Sequence, residues 1–223
     1  MSRIDLYGFL GVGLGLLVGM IGHELAHAWV AVRLGDPTPR MMGRLTLNPK
    51  AHADPFGTVI LPGIALVSIL FKSPLGFFFG YAKPVTIHPG RLRHPRRDAL
   101  IVALAGPGFN LLVVALIGVV FRRMSSLRVL DVLFLMAQVN TYLFIINILP
   151  FPPLDGSKIL TRFLSPSAAM KLESLSQYLI FFLIALFLIF SSVIANVAEA
   201  IYTPILGNPA VLSTVVGLRW AAR

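Results

Sequence analysis

Long apolar runs alternate with short polar stretches along the whole chain. A helix needs about 20 apolar residues to cross the hydrocarbon core of a bilayer. Four runs meet that length, at about 6–34, 98–121, 130–149 and 177–201. Two shorter apolar pieces, 57–71 and 75–82, flank Lys72-Ser73-Pro74. The pattern alone leaves 57–82 either crossing once or entering the membrane and returning as a re-entrant or hairpin segment, and the charge count below favours the second. Residues 35–55 are polar and punctuated by Pro37, Pro39, Pro49 and Pro55. Within them Arg44-Leu45-Thr46-Leu47 alternates with period two, which predicts a short strand-like loop over 40–48. A proline-rich break, Pro150-Phe151-Pro152-Pro153, ends the third clear span. The expected architecture is an all-α polytopic membrane protein forming one embedded domain over 1–223. Its core lies at about 6–165, with a further transmembrane helix and tail at 176–223.

Composition agrees: 57% of the 223 residues are hydrophobic and 13% charged, against roughly a quarter charged in soluble domains. The formal net charge of +10 invites a nucleic-acid reading. That reading would need a basic face with stacking aromatics on a soluble module, and none is visible. The basic residues instead sort the loops. If 57–82 returns to its own side, thirteen of the nineteen Lys and Arg residues share one side of the membrane. By the positive-inside rule that side is cytoplasmic. The N-terminus is then outside, and the first span ends in the cytoplasm. There is no cysteine, so a disulfide framework is excluded and any metal must be held by His, Asp or Glu.

The first span contains His23-Glu24-Leu25-Ala26-His27. Histidines four apart on a helix share one face at the spacing a single zinc ion needs, and the Glu between them can serve as general base. Ionisable groups at membrane depth are costly, so three together call for a reason. The plain alternative is two histidines bonded to backbone or neighbouring helices, with Glu24 pairing one of them. A catalytic zinc takes a third protein ligand. Asp155 stands out because the prolines before it end a helix and Gly156 lets the chain turn behind it. Its plain alternative is an N-cap for a helix starting near Ser157. Asn110, Asn140 and Asn147 also lie in spans. For the first two, interhelical hydrogen bonding is the favoured reading; for Asn147 the balance tips slightly to a functional role. His52 reads as a loop histidine, structural or solvated.

These residues resemble the site-2 protease family of intramembrane zinc metalloproteases. The likeness is carried by His23-Glu24-x-x-His27, by Ala105-Gly106-Pro107-Gly108-Phe109-Asn110, and by Asn147 to Asp155-Gly156. Leu47-Asn48-Pro49, His52, Asp54-Pro55 and Gly80-Tyr81-Ala82-Lys83-Pro84-Val85 are similar to a compact prokaryotic branch. No PDZ-like insertion lies between the spans, and no regulatory domain follows the core. The resemblance implies that His23, His27 and Asp155 hold one zinc ion and that Glu24 is the catalytic base. It also suggests that Asn147 contacts the substrate or the oxyanion. The implied activity is peptide-bond hydrolysis within or near transmembrane segments of other membrane proteins. The implied location is a prokaryotic cell membrane, with the site toward the cytoplasmic side. The implied partners are transmembrane substrates and the bilayer, without nucleic acid. Two other classes also place His and Asp in spans: a divalent-metal transporter, and a zinc-binding scaffold without peptidase activity.

Overall fold

A computed structural model describes residues 6–52 and 85–207. The expected hairpin at 57–82 and the tail beyond 207 lie outside the described residues. Four long helices are α1 (Leu6–Arg33), α4 (Pro95–Phe121), α5 (Leu127–Ile148) and α8 (Leu179–Leu206). All four are long and apolar enough to cross a membrane, α8 through its stretch Leu188–Leu206. Shorter helices are α2 (Thr38–Met41), α3 (Pro49–His52), α6 (Asp155–Thr161) and α7 (Pro166–Glu173). The all-α polytopic architecture is as expected. Of the prolines that read as punctuation, Pro39 and Pro49 stand in first turns of helices, as do Pro95 and Pro166. There a missing N–H costs nothing.

The strand-like reading of 40–48 is corrected. Residues 38–41 are helical, 44–48 form an irregular loop, and no strand occurs among the described residues. Arg44 is buried and donates to the Ala51 carbonyl, whereas Leu47 is 72% exposed. Leu45 and Thr46 are both partly exposed, so burial falls along the loop and does not alternate between two faces as in a strand.

Hydrocarbon offers no hydrophobic gain for helix association, so close packing carries it. On α1, Gly11, Gly15 and Gly19 recur every four residues against α5. A Cβ there would fall 2.8 Å from Leu135 Cβ, 3.0 Å from Val139 Cβ and 2.6 Å from Leu143 Cδ1 respectively. Gly22 leaves room for the Phe109 ring of α4. An apolar cluster of Val114, Ile117 and Phe121 from α4, Phe134 and Leu135 from α5, and Ala198, Tyr202 and Leu206 from α8 joins the remaining helices. Pro204 interrupts the last turns of α8. Arg122, just past α4, donates to two carbonyls that the end of α8 leaves without helical partners, Pro204 O at 2.8 Å and Ile205 O at 3.1 Å. The links and short helices that follow α1 and α5 gather near one end of this bundle, where Ala31, Leu92 and Val102 make a second small core.

Candidate metal centre

His23 and His27 lie one turn apart on α1 and are both buried. Their Nε2 atoms are 3.1 Å apart, and Asp155 Oδ2 stands 3.0 Å from the first and 2.9 Å from the second. Asp155 opens α6 after the Pro150–Leu154 link. It does not cap that helix: Leu154 is the N-cap residue. Its Oδ1 accepts from Lys158 Nζ at 3.0 Å. Behind it, a Cβ on Gly156 would fall 2.1 Å from the Ile148 carbonyl oxygen, so the turn that aims Asp155 requires glycine.

The outer nitrogens decide what the inner ones can do. His23 Nδ1 lies 2.7 Å from Asn110 Oδ1, and His27 Nδ1 lies 2.7 Å from the Val102 carbonyl oxygen. Both partners accept, so each ring donates its Nδ1–H outward. A ring that carries only that proton brings a lone pair to Asp155, and three acceptor atoms this close repel one another unless a metal ion or a shared proton sits among them. The donor set, two imidazole nitrogens and one carboxylate oxygen within 4.8 Å of one another, is that of a catalytic zinc site, with outward Nδ1–H bonds of the usual supporting kind.

The Ala105–Asn110 segment of α4 serves this centre at each position that touches it. A Cβ on Gly106 would lie 2.3 Å from His27 Nε2 and 2.6 Å from His23 Nε2; the missing methyl is the space in front of both candidate ligand nitrogens. Pro107 sits inside the helix and is fully buried. Asn110 reaches His23 from the next turn. Sequence reasoning took Asn110 as interhelical glue. It is glue, bonding Gly19 O and Asn140 Oδ1 at 3.1 Å each, and it also orients a candidate ligand. Val102 was missed altogether, because a main-chain carbonyl leaves no signal in residue type.

Glu24, half-buried, follows His23 on α1 and accepts from the Val85 amide at 2.9 Å. Asn147 donates to the Leu143 carbonyl of its own helix at 2.9 Å; among the described residues no hydrogen bond joins it to His23, Glu24, His27 or Asp155. His52 is buried and 2.8 Å from the Thr46 carbonyl oxygen through Nε2, which is a structural placement.

The segment over Glu24 is tethered by Asp36, which is fully buried beyond the end of α1. Its Oδ1 accepts from the Thr38 amide at 3.0 Å and from the Thr38 hydroxyl, and its Oδ2 from the His88 amide at 2.7 Å. Burial pushes this carboxyl up, but the bonds from Thr38 and His88 push it further down, below its ordinary 3.8. A lowered folded value means that the tether is complete above pH 3.8 and fades as pH falls through the folded value. In hydrogen exchange, the His88 amide is expected to lose protection as pH falls below 3.8 and through the lowered folded value. Asp36→Asn should show weaker protection that does not vary there. A flat wild-type profile across that range would refute the tether.

The profile of "Peptidase family M50" matches residues 113–191. A Bacillus subtilis protein named "Putative zinc metalloprotease YwhC" is 36% identical over 174 residues, 73% of each chain. Rip2 of Mycobacterium tuberculosis H37Rv, described in the same words, is 33% identical over 184 residues, 81% of this chain and 67% of its own. Rip2 of Mycolicibacterium smegmatis is 30% identical over 173 residues, 76% of this chain and 63% of its own. No solved structure matches.

Proposed function

The chain belongs to peptidase family M50, the site-2 proteases, and is an integral-membrane zinc metalloprotease; on that premise we propose that it hydrolyses peptide bonds within or beside transmembrane segments of other membrane proteins. The observation that supports this best is the meeting of His23 and His27, inside a span, with Asp155, just beyond another. In our reading these three side chains hold the zinc, and Glu24 is the base. Asn147, near the end of the same span, is the proposed substrate contact. Zinc supplies Lewis acidity: it lowers the pKa of bound water to about 7 and polarises the scissile carbonyl. Glu24 accepts the proton of the attacking water and passes it to the departing amine nitrogen. The Val85 amide fixes one oxygen of that carboxylate and so orients the proton-accepting group. Asn110 and the Val102 carbonyl hold the imidazoles outward. The donors converge on one point instead of stringing along a path, which favours a peptidase over a transporter.

His23 and His27 lie in the last three turns of α1, which ends at Arg33. With the basic residues counted as cytoplasmic, the proposed site lies toward the cytoplasmic face and away from the bilayer centre. The test is reconstitution in proteoliposomes with a single-span reporter and mass mapping of its products. Cuts in or next to the span that stop on zinc chelation and in Asp155→Asn are expected. Cuts confined to soluble loops would overturn the intramembrane reading.

A further inference from the structure

Asn140 is fully buried on α5, a helix that supplies none of the proposed metal ligands. It bonds α1 and α4, yet the direction of its bonds does more than join helices. We propose that Asn140 is a positioning residue for the metal centre: acting through Asn110, it holds His23 in the Nδ1–H tautomer that offers a bare Nε2 to zinc. This rests on the reading of His23 as a ligand.

The chain of bonds starts at carbonyls, which can only accept. Asn140 Nδ2 lies 2.9 Å from Met136 O and 3.3 Å from Gly15 O. Both its protons are committed, and turning the amide over would aim its oxygen at two other oxygens. Asn140 Oδ1 is therefore an acceptor. It takes one proton of Asn110 Nδ2 at 3.1 Å, while Gly19 O takes the other at 3.1 Å. Asn110 Oδ1 is left to face His23 Nδ1 at 2.7 Å, and the ring must donate. Both asparagines are 0% exposed, so no bulk water substitutes for a lost partner.

A turned-over Asn110 would suit the wrong tautomer of His23. Its NH2 would donate to a bare Nδ1, leaving the ring proton on Nε2, pointed at Asp155 and in the way of a metal. Two groups oppose that state, because each would then meet an oxygen: Gly19 O and Asn140 Oδ1. The second is a side chain and can be removed. His27 needs no such device, since its Nδ1 donates directly to the Val102 carbonyl, which cannot turn over.

The test uses the purified full chain with 15N-labelled histidine. Long-range 1H–15N spectra of the metal-stripped protein read the tautomer of each ring, and competition with a chromophoric chelator reads zinc affinity. In Asn140→Leu, His23 is expected to become a mixture of tautomers while His27 stays Nδ1–H. Zinc affinity should fall about tenfold, the lower end for loss of an outer partner of a ligand. Asn140→Asp is the rescue. As the neutral acid it still accepts from Asn110 and donates to a carbonyl, so tautomer and affinity should match wild type. Asn140→Ala carries the same expectation as the leucine variant should that one fail to fold. A His23 ring that stays wholly Nδ1–H with wild-type zinc affinity in the Leu or Ala variant overturns the relay. Wild-type affinity in His23→Gln would instead remove the premise that His23 is a ligand.

Discussion

Glu24→Gln is expected to keep stoichiometric zinc and to lose about 10²–10⁴-fold in cleavage rate, the contribution typical of a positioned acid–base group. The two readouts separate because the substitution touches only one of two jobs. Glutamine retains a side-chain oxygen able to accept from the Val85 amide, which the structure places 2.9 Å from the Glu24 carboxylate. The segment over the site thus stays in place. The three candidate ligands, His23, His27 and Asp155, are left untouched. What disappears is a group able to take a proton from water and return it to the leaving amine. Zinc content by atomic emission and cleavage of a transmembrane reporter measure the two independently. Cleavage at the wild-type rate would remove Glu24 from the mechanism, and loss of zinc would mean that it helps to hold the metal.

Gly106→Ala should produce the complementary defect, loss of zinc from a helix that is otherwise no weaker. Alanine is the better helix former by about 1 kcal/mol, so α4 itself does not suffer. The new methyl, however, would stand 2.3 Å from His27 Nε2 and 2.6 Å from His23 Nε2. The rings cannot swing aside cheaply, because Asn110 and the Val102 carbonyl hold each by its other nitrogen at 2.7 Å. Zinc stoichiometry is expected to fall from one toward zero, and cleavage with it. Gly108→Ala, two residues along the same motif, is the control. A Cβ there meets nothing within 4 Å, and zinc should stay. Full zinc occupancy in Gly106→Ala would show that this space is not needed by the metal.

The comparison between expectation and structure divides along physical lines. Spans were legible because hydrocarbon thickness sets a length that few other constraints imitate. The meeting of His23 with His27 was legible because helix geometry converts a spacing of four into a shared face. Asp155 was legible because prolines and a glycine around a lone carboxylate have few other uses. Asn110 was recognised as polar but not as the orienter of His23, since its partner is 87 positions away and only the packing of α1 on α4 brings them together. The role of Gly106 was hidden for the opposite reason: its contribution is an absence of atoms. The alternation at Arg44–Leu47 misled because period two reports which side chains differ, not which of them faces inward. Here a guanidinium bonded to the Ala51 carbonyl won the interior.

The bond partners His23 and Asp155 are 132 residues apart in the chain. If a single ion binds both, it is a cross-link closing most of the catalytic core into one ring, in a protein that has no cysteine with which to make another. Losing the ion would then do more than stop the chemistry: it would open that ring where the first turn of α6 meets α1, and turnover of the protein in its membrane would come to depend on metal supply.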